Sequence, residues 1–124
     1  MLEIHERHDT LGYENVINTI LSENVKIVES KNGNETNGYG IYSIGENGIA
    51  IHDYSSPELE IVDGIIRTIL FKGMLGGINS CKFLVRDAEK QEQLKKLGFI
   101  SDTQKNIEDI NDFMSNCKNC KHSK

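Results

Sequence analysis

A chain of 124 residues that is 37% hydrophobic and 27% charged has the size and composition of one globular domain, able to bury a core without disulfide or metal support. Its formal net charge of −5, with 14 basic residues interspersed among 19 acidic ones, speaks against a broad nucleic-acid face, because a phosphate footprint needs clustered Lys and Arg. No apolar run reaches the ~18 residues of a membrane span, the first residues lack the basic and apolar regions of a signal peptide, and three cysteines are an odd count that fits a reducing compartment. The expectation is a cytoplasmic protein that binds no nucleic acid and no membrane, with a homodimer left open.

Leu2-Glu3-Ile4-His5-Glu6 alternates apolar and polar, the period of a half-buried strand. His8-Asp9-Thr10 offers a cap, and Tyr13, Val16, Ile17, Ile20 and Leu21 recur at helical spacing, which predicts a helix over residues 11–21. Residues 25–29 alternate again as a strand. Residues 31–38, rich in Asn and Gly, read as a polar loop. Residues 39–44 form the next strand, and Gly45-Glu46-Asn47-Gly48 is a tight turn into a strand over 49–54. Three strands joined by turns predict an antiparallel meander.

A long helix is expected after Ser56 as N-cap, with Pro57 in the first helical position and Glu58 beside it. Val62, Ile65, Ile66, Ile69, Leu70 and Leu75 form its apolar stripe, and Gly76-Gly77 ends it with a positive φ. Residues 81–85 read as a strand. Asp87 caps a short charged helix in which Leu94 and Leu97 face inward while Glu89, Lys90, Glu92, Lys95 and Lys96 stay in water. Residues 104–124 are expected to be a tail beyond a domain of residues 1–103. The tail carries one weak amphipathic stretch (Ile107, Ile110, Phe113, Met114) and ends in Cys117-Lys118-Asn119-Cys120-Lys121-His122. Strand, helix, strand, helix over residues 49–99 is a βαβα unit that places two parallel strands side by side. The class is α+β or α/β, a mixed sheet with helices on it.

This order resembles the GNAT family of N-acetyltransferases, and residues 49–99 match its acyl-CoA-binding half. Lys96-Leu97-Gly98-Phe99 is similar to the family's K-L-G-F ending, Ser56-Pro57-Glu58 to the V-x-P-E after its fourth strand, and residues 64–70 to the start of its acyl-CoA helix. The resemblance implies a GNAT-like mixed central sheet and acetyl-CoA or another acyl-CoA as ligand. It also implies that the splayed strand end at Asp53, Tyr54 and Ser55 pairs with the pantetheine arm, and that Gly64, Ile65, Ile66 and Arg67 hold the pyrophosphate. A pyrophosphate is best held by backbone N–H groups at a helix N-terminus, with glycines for close approach and a basic side chain for charge. The family's pattern is Arg/Gln-x-x-Gly-x-Gly/Ala. Here Glu60 stands at the basic position and Ile66 at the second glycine, and Glu58, Glu60 and Asp63 repel a diphosphate. Two registers remain open, a helix starting at Pro57 or a loop up to Asp63 with Gly64 opening the helix.

Acyl transfer to an amine needs a base for the ammonium proton and often an acid for the leaving thiolate. His52 and Asp53 at the end of the matching strand are base candidates, and alternation puts them on opposite faces. Tyr54, on the His52 face by the same alternation, is the acid candidate, since the family's usual tyrosine position is Leu94. The plain alternative for His52 is a satisfied edge histidine. Cys117, Cys120 and His122 have metal-ligand spacing suited to zinc or iron. A redox pair and a solvated terminus are the competing readings, and Cys81 is most simply a small buried hydrophobe. Two functions follow. One is a divergent GNAT-like acyl-CoA-binding protein or N-acyltransferase with an unassigned acceptor. The other is a non-catalytic module of the same fold with a metal-binding or redox tail.

Overall fold

A computed structural model describes residues 2–7, 25–45 and 48–115. The elements are β1 (Leu2–Arg7), β2 (Val25–Asn32), β3 (Glu35–Gly45), β4 (Gly48–Ser55), α1 (Leu59–Leu75), β5 (Cys81–Phe83), α2 (Ala88–Leu97), β6 (Asn106–Ile107) and α3 (Ile110–Ser115). The helix expected over residues 11–21 and the turn residues Glu46 and Asn47 lie outside the described residues. Among the described residues, six strands form one sheet in chain order. β1 to β4 are antiparallel, β4 and β5 run parallel, and β6 returns antiparallel to β5. The mixed α+β class read from the sequence is the observed one.

The expected loop at residues 31–38 is instead the tip of the β2–β3 hairpin. Asn32 pairs with Glu35, and Gly33 at φ +67° sits in the two-residue turn. A left-handed residue there matches the twist of the flanking strands. The polar residues that read as a loop are the exposed ends of both strands, where no core face imposes alternation.

Helix α1 lies across the sheet and buries Ile61, Val62, Ile65, Ile66, Ile69 and Leu70. It comes close because β3 presents Gly38 and Gly40 beneath it. A Cβ on Gly40 would stand 2.6 Å from Ile65 Cγ2 and 3.0 Å from Ile69 Cδ1. The helix starts later than expected. Its N-cap is Glu58, whose side chain makes no capping bond. Ser56 Oγ instead donates to the Asn37 carbonyl at 2.9 Å and accepts from Glu58 N–H at 3.3 Å, which ties the end of β4 to β3. Of the two glycines expected to stop the helix, Gly77 carries the positive φ at +81°.

Asp87 caps α2 as expected, accepting from Lys90 N–H at 3.0 Å. Gly98 at φ +87° closes it, and Phe99 N–H reaches back to the Leu94 carbonyl. This ending turns Phe99 into the core, where it lies 5.4 Å from the Phe113 ring. β5 is only three residues long, shorter than the strand expected over 81–85. The sheet continues past residue 103, with Ile107 on β6 and Ile110 on α3 both buried in the α1-side core. No described helix is long and apolar enough to cross a membrane.

Candidate functional site

Among the described residues, strand β4 is paired on both edges only in its first half. Toward β5 the register runs Ile49–Cys81, Ala50–Lys82 and Ile51–Phe83, and the last bond on that side is Leu84 N–H to the Ile51 carbonyl. Beyond Ile51 the chain after β5 turns away toward α2, while β4 continues beside β3 to Ser55. Two parallel strands that part in this way leave a notch whose wall is the backbone of Asp53, Tyr54 and Ser55.

The notch begins at a β-bulge. Ile41 pairs with Asp53 but the next residue, Tyr42, pairs with Ile51, so His52 is the extra residue of β4. A bulge re-aims the side chains that follow it, and it corrects the alternation expected from sequence. Tyr54 falls with Ile49 and Ile51 in the α1-side core. Asp53 shares the opposite face with its partner Ile41, and His52 joins that face by its bond to Ser43, Nε2 to Oγ at 2.9 Å. His52 and Asp53 therefore share a face, and Tyr54 does not share it. Partial burial lowers the His52 pKa below the ordinary value, which favours the neutral imidazole.

Asp53 is the most connected carboxylate at the notch. Its Oδ1 accepts from the Tyr54 backbone N–H at 2.9 Å and from Lys90 Nζ at 2.8 Å. Lys90 stands on the first turn of α2 and also lies over the Tyr54 ring, 5.7 Å from its centroid. The Tyr54 hydroxyl donates to the Lys90 carbonyl at 2.7 Å, and the Gln93 side-chain amide lies 2.9 Å from the same oxygen. It is fully buried, and burial with the nearby Asp53 and Asp87 charges pushes its pKa up. The expected acid is thus a fastener between β4 and α2. On the Asp53 face stands Tyr39, whose pKa is raised by burial and then by Asp53, with Lys90 opposing.

The expected pyrophosphate residues are not assembled around an anion site. Gly64 lies inside α1, five residues beyond the first helical position, and its bare Cα accommodates Ile4 of β1. The alternative in which Gly64 opens the helix does not hold. Ile65 and Ile66 are fully buried. Arg67 is held by Asp63 through Nε at 3.0 and 3.1 Å and lies over the Phe99 and Phe113 rings. At the start of α1 the Glu58 N–H is bonded to Ser56 Oγ and those of Ile61 and Val62 to the Glu58 carbonyl, and the exposed carboxylates Glu58 and Glu60 stand beside them.

Cys117, Cys120 and His122 lie outside the described residues, and among the described residues no group of three or more His, Cys, Asp or Glu could hold a metal ion. Cys81 is buried on β5 and its thiol is pushed up to about 12 by desolvation, the behaviour of a small apolar residue. Sequence reasoning missed Lys90, Gln93 and Ser43. In the sequence Lys90 reads as a wet residue of a charged helix, yet it stands four positions before buried Leu94 and so on the inward stripe.

No protein-family model matches the chain, and no curated protein matches it in sequence. A solved structure has a similar fold. It is the crystal structure of the KacTA-DNA complex, with a TM-score of 0.55 at 14% sequence identity over 86% of this chain and 91% of that one. That neighbour was solved in a complex with DNA, so the exclusion of nucleic acid drawn from net charge is corrected. Net charge averages over the whole surface, whereas contact with nucleic acid depends on a local patch or on an assembly partner.

Proposed function

We propose that the notch between β4 and β5 receives an acyl thioester on an extended arm, and that the chain is a divergent GNAT-like acyl-CoA-binding protein or N-acyltransferase of the cytoplasm. The observation that carries this reading is the form of β4. It is bulged at His52 and then left unpaired by a parallel neighbour, in the element order that the family resemblance implies. An arm with amide groups can add to the β4 edge at Asp53, Tyr54 and Ser55 by backbone hydrogen bonds, the way any extended ligand adds to a strand, once the Asp53 carboxylate gives up the Tyr54 N–H.

The two ends of such a ligand fit unequally. The arm suits the strand edge. A nucleotide diphosphate would meet helix N–H groups at the start of α1, which favour anions, but also Glu58 and Glu60, which oppose them. The bound thioester would supply an activated acyl carbon. In this chain His52 is the residue suited to take a proton from an incoming ammonium group, being kept neutral and fixed by Ser43. Asp53 and Lys90 set the charge beside it.

Calorimetric titration with acetyl-CoA, followed by amide chemical-shift mapping, tests the reading. Saturable binding that moves the amides of Tyr54 and Ser55 supports it, and thiol release with added amines then identifies the acceptor class. Absence of binding up to millimolar ligand removes it. The buried Tyr54 hydroxyl and the acidic start of α1 favour a second reading, a non-catalytic module of the same fold with a Cys117/Cys120/His122 tail for metal or redox chemistry. Its mark is zinc uptake with proton release in a chain that ignores acetyl-CoA.

A further inference from the structure

A strand edge left by its neighbour exposes backbone groups that need partners. On β4 the bonds toward β5 come from Ile49, whose N–H donates to the Ser80 carbonyl, and from the Ile51 carbonyl. After the extra residue at His52, the next N–H whose partner comes from outside the β3 ladder is that of Tyr54. Asp53 fills it with its own carboxylate, at 2.9 Å. The same oxygen takes the Lys90 ammonium at 2.8 Å. One oxygen therefore sits between a backbone N–H and a cation at the mouth of the notch, with Asp53 and Lys90 side chains about one quarter exposed (25% and 26%). The Tyr54 hydroxyl bonds to Lys90 and Gln93 fix the first turn of α2 against β4, so the cation is held in place from behind.

We propose that Asp53 is an intramolecular plug: its carboxylate holds the Tyr54 N–H and the Lys90 ammonium, the donors that the carbonyl oxygen of a bound acyl group would otherwise meet at the end of β4. The proposal rests on the acyl-thioester reading above and adds the residue of this chain that competes with the acyl oxygen. Two donors on one oxygen, one of them charged, hold an acceptor more firmly than either does alone. A ligand carbonyl must displace a carboxylate that already has both donors. The notch is then closed by default, and it opens for a ligand whose arm also gains bonds along the strand edge. Any change that removes the Lys90 charge or the Asp53 charge shifts that competition.

The test compares acetyl-CoA with CoA, which lacks the acyl oxygen, by calorimetry on wild type, Asp53→Ala, Asp53→Asn and Lys90→Met. Removing a competing charge-assisted pair of hydrogen bonds should raise acetyl-CoA affinity about tenfold or more in Asp53→Ala. The gain for CoA should be much smaller. Asp53→Asn, which keeps the side-chain shape, gives an intermediate gain and covers the case in which Asp53→Ala does not fold. Lys90→Met should bind acetyl-CoA more weakly than either Asp53 variant. Equal gains for acetyl-CoA and CoA would mean that Asp53 only protects a strand edge and would overturn the acyl-oxygen site. So would wild-type binding that is unchanged or weakened in both Asp53 variants. If no chain binds acetyl-CoA, the acyl-thioester reading itself fails and this proposal with it.

Discussion

His52 shows how one residue can carry both a fold feature and a chemical one. As the extra residue of the β4 bulge it is aimed at Ser43, and partial burial disfavours its charged form. A histidine with a folded pKa below its unfolded one stabilises the fold above the ordinary value of about 6.5, and that contribution is lost as pH falls through the folded pKa. Stability should therefore decline on acidification through this window, and His52→Gln should flatten that part of the pH–Tm curve. An unchanged curve would show that the imidazole is not desolvated as described. Any transferase activity should share an acidic limb there, because the base must be neutral. Tyr54 makes the opposite case. Its hydroxyl is spent on Lys90 and Gln93, so Tyr54→Phe should lower stability by about 1 kcal/mol, seen as a shift in denaturant midpoint. A kinetic acid would instead leave stability alone and lower kcat. Cys81, with its thiol pushed up to about 12, should resist alkylation in the native chain and react on unfolding, read by peptide mass mapping.

At the scale of elements, the association of α1 with the sheet depends on what β3 lacks. Gly38 and Gly40 let Ile61, Ile65 and Ile69 settle onto the strand. Gly40→Ala would force a methyl into Ile65 and Ile69, and overpacking of that kind costs roughly 1–3 kcal/mol, measurable by chemical denaturation. Gly33→Ala, at a turn with nothing near its Cβ, should cost less, through positive φ alone. The stripe of α1 was legible in sequence because burial on one helical face writes a repeat of three and four. The cap of α2 was legible because Asp87 does its work locally. The hairpin tip was not, since Lys31, Asn32, Glu35 and Thr36 have no buried face to declare them strand. The start of α1 was misplaced for a related reason. Ser56 has the chemistry of an N-cap, but its hydroxyl is drawn sideways to Asn37 on β3, a long-range bond that no local pattern records.

For the molecule as a whole, the notch arises from topology. A parallel strand only three residues long cannot follow β4 to its end, and the chain spans the remainder with α2 and Lys90. The bulge that makes His52 and Asp53 neighbours on one face was invisible to strict alternation, because one inserted residue reverses everything after it. The chain also brings its own charge to the notch. Glu58 and Glu60 flank the helix start where a nucleotide diphosphate would dock, on a protein of net charge −5. Like charges repel less as salt screens them. Binding of acetyl-CoA to the wild type should therefore strengthen from low to moderate ionic strength, the reverse of a chain that grips phosphates with Lys and Arg. Glu58 makes no side-chain cap bond and Glu60 lies in the first turn, so Glu58→Gln with Glu60→Gln should cost only the attraction of these charges to the helix dipole, about 1 kcal/mol. The pair should raise acetyl-CoA affinity roughly fivefold and remove much of the salt dependence. Calorimetry at two salt concentrations on both chains checks this. Wild-type binding that weakens with salt would place the phosphates against a basic surface elsewhere on the molecule, and the start of α1 would then be no part of the ligand site.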